Sequence, residues 1–104
     1  YSKNVVFIFD HQMYSGRETS AAIIKEFNLG TIVGRPTGGT NGNTSIVRLF
    51  DLYQFYFTGM EVLNYDASTF HGHGVDPDIR VEYLLNDLIT GKDSFIEKAK
   101  EILN

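Results

Sequence analysis

The chain has 104 residues and a net charge of −4; 42% of its residues are hydrophobic, 21% are charged and none is cysteine. That length predicts one domain with a single modest core. The missing cysteine excludes disulfides, zinc–thiolate sites and a thiol nucleophile, the lack of a Lys/Arg cluster argues against nucleic acid as a partner, and no apolar stretch approaches the roughly 18 residues of a membrane-spanning helix.

Residues 4–9 form a continuous apolar, β-branched and aromatic run, the pattern of a strand covered on both faces in a parallel sheet. Tyr1 stands just before this run, and the abrupt start predicts a piece of a longer protein. After a short turn, residues 15–28 read as a helix: Ala21, Ile24 and Phe27 recur at helical spacing, Lys25 and Glu26 lie off that stripe, and Gly30 supplies the stop. Thr31-Ile32-Val33 is a second strand, which completes a βαβ unit. Residues 34–43 hold four glycines and Pro36 and read as a loop.

Two strand-like runs follow, at 44–50 and 52–58. In the second, Tyr53, Phe55 and Phe57 alternate with Leu52, Gln54 and Tyr56. Both faces read as apolar, so a strand packed on both sides is expected. Residues 60–65 suggest a further strand, 79–82 a last short one and 84–89 a short helix closed by Gly91. Residues 94–103 form an amphipathic helix with Phe95, Ala99 and Ile102 on one stripe.

Ser15-Gly16-Arg17-Glu18 is the most informative stretch. Ser-x-x-Glu is a capping box, in which the hydroxyl accepts from the third helical amide and the glutamate reaches back. Ser94-Phe95-Ile96-Glu97 repeats the pattern with no chemistry attached, so the pattern alone points to capping. Ser15 differs in its surroundings. It follows a buried strand, so it lies at the carboxyl end of the sheet, where α/β sites gather, and a strand-to-helix turn can expose a nucleophile. Gly16 beside it lets a substrate approach the backbone, and its amide at a helix start is a plausible oxyanion donor.

Three segments carry a family resemblance: Met13-Tyr14-Ser15-Gly16-Arg17-Glu18, then Thr31-Ile32-Val33-Gly34-Arg35-Pro36-Thr37-Gly38-Gly39, then Gly72-His73-Gly74-Val75-Asp76-Pro77-Asp78-Ile79. In this order and spacing the chain resembles the carboxyl-terminal processing (tail-specific) serine peptidases, and more closely their tricorn-core-like branch, from Val5 to about Leu103. The resemblance implies an α/β fold of crotonase/ClpP-like type. Residues 1–104 would be the carboxyl-terminal portion of the catalytic domain, built from a βαβ unit, aromatic-rich antiparallel strands and a terminal helix. It implies Ser15 as nucleophile, Gly16 as oxyanion-binding residue and Glu18 as the glutamate that follows the family serine. No cofactor or metal is expected. The expected substrate is a peptide or an unfolded protein tail, the expected partners are the missing amino-terminal part of the same protein and further copies in a homo-oligomer, and a bacterial envelope or periplasmic location is implied.

Thr40 occupies the place where the processing branch carries its general-base lysine, while the tricorn-like branch takes a histidine from upstream of the serine. The base is therefore expected from outside this chain, and the isolated fragment is expected to be inactive. His11 is read as a solvated turn residue. His71 and His73 form His-x-His, a spacing that a metal can use, but between glycines and without a third ligand a loop role is expected. His71 stands near the place of a glutamate in the tricorn-like branch. Two other readings stay open: a module of the same fold that binds peptides or partners without cleaving them, and an acyl-thioester enzyme on the related crotonase-like fold.

Overall fold

The computed structural model of the protein describes residues 3–104. Its elements are β1 (Val6–Phe9), α1 (Gly16–Glu26), β2 (Thr31–Gly34), β3 (Thr44–Leu49), β4 (Tyr53–Thr58), β5 (Ile79–Arg80), α2 (Leu85–Thr90) and α3 (Ser94–Leu103). The apolar runs of β1 and β2 pair in parallel, Phe7 beside Ile32 and Phe9 beside Gly34. β5 pairs in parallel with the other side of β2, so the order is β1-β2-β5. Side chains alternate across a strand. Phe7, Phe9 and Ile32 therefore point to one face, where they pack with Ala21 of α1 and with Phe70 and Val75. Buried Val33 points to the other, and α3 packs against β1 and β2 there through Phe95 and Ala99. Tyr83 stacks on Phe95 with ring centroids 4.5 Å apart.

The helical stripes hold with two changes. In α1 the buried residues are Glu18 and Ala21, with Ile24 packed at the core's edge, while Phe27 lies 69% exposed. The expected Phe27 contact fails because the helix ends at Glu26 and Asn28 takes a left-handed φ of 50°. Asn28 rather than Gly30 turns the chain. Gly30 serves a close approach instead, since a Cβ there would lie 2.6 Å from the Val5 carbonyl oxygen. α3 spans the expected residues, but Ser94 is not its cap. Asp93 accepts from the amides of Phe95 and Ile96 at 2.9 and 3.1 Å, and the Ser94 hydroxyl donates to Asp87. A carboxylate one position earlier accepts from the first-turn amides and also meets the positive end of the helix dipole. Gly91 closes α2 in a left-handed conformation, φ 66°.

The second pair of strands departs furthest from expectation. β3 and β4 form an antiparallel hairpin in a sheet of their own, with register Thr44↔Thr58 to Leu49↔Tyr53. All six residues of β4 are exposed, so it is not packed on both sides. Residues 60–65 contribute only an isolated bridge, Leu63 to Thr69, because Gly59 and the turn at Asn64–Ser68 limit pairing. The projecting hairpin makes the chain long, 58 × 36 × 23 Å, with a radius of gyration of 17.1 Å, against about 13 Å for a compact chain of this size. Among the described residues no helix is long and apolar enough to cross a membrane.

Candidate active site

β1 ends at Phe9, and the chain turns over Asp10, whose carbonyl accepts from the Met13 amide at 3.0 Å and whose carboxylate accepts from the Gln12 amide at 2.9 Å. This turn delivers Ser15 to the start of α1 with φ 59° and ψ −138°. A residue with a Cβ rarely adopts that conformation, which costs of order 1–3 kcal/mol and persists only where its surroundings hold it. The Ser15 hydroxyl faces the Glu18 amide in capping-box fashion without closing a cap hydrogen bond, and the residue is exposed. Gly16 is the first helical residue, so its N–H is one of the donors the helix itself leaves free, and a Cβ on Gly16 would meet nothing within 4 Å. Ser15 and Gly16 thus stand together, open to solvent, at the carboxyl end of the parallel sheet.

What holds Ser15 is Glu18, which is fully buried. Four donors converge on its carboxylate. The Thr37 hydroxyl and the Gly39 amide reach Oε1, each at 2.6 Å, and the amides of Thr40 and Ser15 reach Oε2 at 2.9 and 3.1 Å. A buried carboxylate needs such a set of donors, and both oxygens are supplied. The Thr37 hydroxyl also accepts from the Val75 amide at 2.8 Å, and the Thr37 amide donates to the Val75 carbonyl at 3.1 Å. The three sequence motifs meet at this point. The glycines permit it: a Cβ on Gly74, at φ 71°, would sit 2.4 Å from the Thr37 hydroxyl, and one on Gly39, at φ 67°, would sit 2.8 Å from the His73 amide nitrogen. Thr37 and Val75 carry no signal of their own in the sequence. The available clue is a glutamate in line with Ala21 and Ala22 on the buried side of a helix, where an ionisable group must find partners.

The other side chains that the sequence singles out are committed elsewhere. Lys25 pairs with Asp78, which also accepts from the Ile32 amide at 2.8 Å. Burial raises the Asp78 pKa, but the hydrogen bonds from Lys25 and Ile32 and the Lys25 charge outweigh it, and the net shift is downward. His11 is exposed, and its Nδ1 lies 3.3 Å from an Arg35 guanidinium nitrogen. The guanidinium can only donate, so Nδ1 is the acceptor. Arg35 also stands 3.1 Å from Glu82, which in turn pairs with Arg80 at 2.7 Å. His71 turns back on its own loop, with Nε2 at 3.2 Å from both the Val62 amide and the Met60 carbonyl. His73 is exposed. Among the described residues no three His, Asp or Glu side chains cluster to hold a metal ion. Thr40 contributes its backbone amide to Glu18.

Residues 1–81 match the sequence profile of peptidase family S41. The tricorn protease of Thermoplasma acidophilum is 36% identical over 89 residues, covering 76% of this chain and 8% of that protein. In structure, the chain is similar to a candidate peptidase from Parabacteroides merdae, with TM-score 0.86, 25% identity and coverage of 99% of this chain and 32% of the other. It is similar to tricorn protease with TM-score 0.83, 25% identity and coverage of 96% and 10%. It shares the fold of the photosystem II D1 C-terminal processing protease at TM-score 0.62 and 22% identity, covering 78% and 21%. The chain therefore spans at most about a third of these relatives. Its mixed α/β architecture is similar to theirs.

Proposed function

The chain belongs to peptidase family S41, and from that premise we propose that it is the carboxyl-terminal part of a serine-peptidase catalytic domain of crotonase/ClpP-like fold, with Ser15 as nucleophile. The observation that carries this reading is the backbone of Ser15. A serine in a strained, positive-φ conformation, exposed at a strand-to-helix turn beside a free helix-start amide, has the layout of a nucleophile elbow.

In this reading the Ser15 hydroxyl oxygen bonds to a peptide carbonyl carbon while its proton passes to a general base. The carbonyl oxygen becomes an oxyanion and accepts from the Gly16 N–H and from a second donor in upstream sequence. Collapse breaks the C–N bond, and the departing amine takes the proton from the base. Water then attacks the acyl-enzyme, releases the carboxylate product and restores the hydroxyl. The base comes from sequence beyond these 104 residues, because the lysine and the histidine nearest Ser15 in sequence, Lys25 and His11, face Asp78 and Arg35. The substrate is a peptide or an unfolded protein tail, which can add as a strand beside the glycine-rich loop. Glu18 acts as a positioning residue, through the Ser15 amide.

A fluorophosphonate probe tests this directly. The full-length protein should be labelled, and Ser15→Ala should abolish the labelling; undiminished labelling of the variant overturns the assignment. The engagement of Lys25 and His11 favours one second reading, a module that holds peptides without cleaving them. That reading requires peptide binding with neither probe labelling nor turnover in the full-length protein.

A further inference from the structure

We propose that Asn41 is a site of self-modification: the Gly42 amide nitrogen attacks the Asn41 carboxamide, and the chain becomes an isoaspartyl or aspartyl peptide there without any enzyme. The two residues lie in the glycine-rich loop, between the Thr40 amide that binds Glu18 and the start of β3. The Asn41 side chain is held from two directions. Its Nδ2 donates to the Thr19 hydroxyl of α1 at 2.8 Å, and its Oδ1 accepts from the Gly42 N–H at 2.9 Å. The second bond sets the nucleophilic nitrogen against the carboxamide whose carbon it must reach; reactive arrangements bring two such atoms to about 3–3.5 Å. Among the described residues no backbone carbonyl takes that N–H, so no ladder has to break before it reacts. Nor does a side chain on the next residue shield it. Gly42 has φ 137°, and a Cβ there would lie 2.5 Å from Thr58 Cγ2 and 3.0 Å from the Met60 carbonyl oxygen, so the fold itself demands glycine after Asn41. Both residues are half-buried, within reach of water.

Hydroxide removes the Gly42 amide proton, and the nitrogen bonds to Asn41 Cγ. The Cγ–Nδ2 bond breaks, ammonia leaves with a proton from water, and a succinimide ring remains. Water then opens the ring at either carbonyl. Opening on the Cγ side gives aspartate; opening on the main-chain side gives isoaspartate, whose backbone runs through Cβ and Cγ. The net change is ammonia lost and water gained. The other asparagines lack this arrangement. The Leu29 amide after Asn28 is spent on the Ile24 carbonyl at 3.0 Å. Thr44 after Asn43 is β-branched and begins the ladder opposite Thr58. Asn64 turns its carboxamide to the Ser68 hydroxyl at 3.0 Å and is followed by tyrosine. Either product at Asn41 puts a carboxylate beside Thr19, the next residue after buried Glu18. The isoaspartyl form also lengthens the main chain directly after Thr40, which slackens the Thr40 bond to Glu18. Both reacting groups are neighbours in this chain, so the step needs only water and is independent of the role of Ser15.

The test is peptide mapping by mass spectrometry of the full-length protein, aged in its folded state at neutral and mildly alkaline pH. Asn41 should gain the mass of an NH2 replaced by OH, at a rate that rises with hydroxide and about tenfold faster than Asn28, Asn43 or Asn64 in the same digest. Isoaspartate and aspartate should both form, because direct hydrolysis of the carboxamide gives aspartate alone. The isoaspartyl fraction should melt below the fresh protein by roughly 4–8 °C, the shift expected when one bond to the buried carboxylate slackens. The proposal is overturned by an Asn41 that converts only after unfolding in urea, by aspartate as the sole product, or by equal conversion at the other asparagines. An isoaspartyl fraction that melts with the fresh protein overturns the effect on Glu18. These outcomes are read by mass and melting, so none bears on probe labelling at Ser15.

Discussion

Replacing Glu18 by glutamine removes one acceptor from the centre of the site while keeping its shape. The amide of glutamine has one oxygen. If that oxygen takes the Oε1 position, Thr37 and Gly39 keep their acceptor, and the new NH2 faces the amides of Ser15 and Thr40. The flipped rotamer reverses the pairs, and either way two of four hydrogen bonds are lost. Hydrogen bonds to a charged group contribute about 1.5–3 kcal/mol each. Ser15 and Thr40 are exposed, so their amides recover part of this from water, and the expected loss is about 2–4 kcal/mol. Glu18→Ala loses all four and should cost about 4–5 kcal/mol, near the upper end for a single substitution. For a domain of this size each kcal/mol moves the thermal midpoint by roughly 4–8 °C. Urea unfolding followed by circular dichroism measures the change, and probe labelling of the same samples reports whether Ser15 has lost its geometry. A glutamine variant within about 0.5 kcal/mol of the parent, labelled as fast as the parent, would refute the reasoning and reduce Glu18 to an ordinary surface cap.

Two further outcomes follow from the same geometry. Ser15→Gly should unfold at higher urea than Ser15→Ala, by about 1 kcal/mol, because removing Cβ relieves the strain at φ 59° and the added freedom of the unfolded glycine offsets only part of the gain; equal midpoints would mean that the backbone there is unstrained. Asp78 titrates below its ordinary value, so its stabilisation is present above the unfolded carboxyl pKa of about 3.9 and is lost as pH falls through the lower folded value. Asp78→Asn should therefore be less stable than the parent at pH 7. The gap should be below about 1 kcal/mol, since the carboxyl side chain is 37% exposed, and it should close as the pH falls below the unfolded carboxyl value of about 3.9; a gap independent of pH contradicts the ion-pair account.

Elements whose partners are close in sequence were legible without coordinates. The Ala21–Ile24 stripe and the Phe95–Ala99–Ile102 stripe carry their burial in their own spacing, whereas β1 is a strand as expected but is not covered on both faces: Phe9 is buried and Ile8 is 44% exposed. The hairpin pairing was legible for the same reason, but not its exposure, because which side of a strand is covered depends on elements that other parts of a sequence supply. Ser94 misled because the acceptor that wins the helix start, Asp93, stands one residue outside the motif. Glu18 was legible only as half of a cap. Its bonds to Thr37, Gly39 and Thr40 span about twenty residues of chain and leave no periodic trace. Ser15 and Gly16 were marked by their address at the carboxyl end of β1, while the strain on Ser15 appears only in its dihedral angles.

The hydrogen-bond relay from the Val75 amide through Thr37 and Glu18 to the Ser15 amide also has a consequence in time. Val75 comes sixty positions after Ser15 in the chain, and joining the two is a costly, long-range closure. The eleven-residue helix behind Ser15 is too short to be stable alone, and the unfavourable turn in front of it is held only when the last motif arrives. An unfinished or partly unfolded chain then carries its serine slack, and the shape of that residue certifies that the whole segment from β1 to β5 is in place.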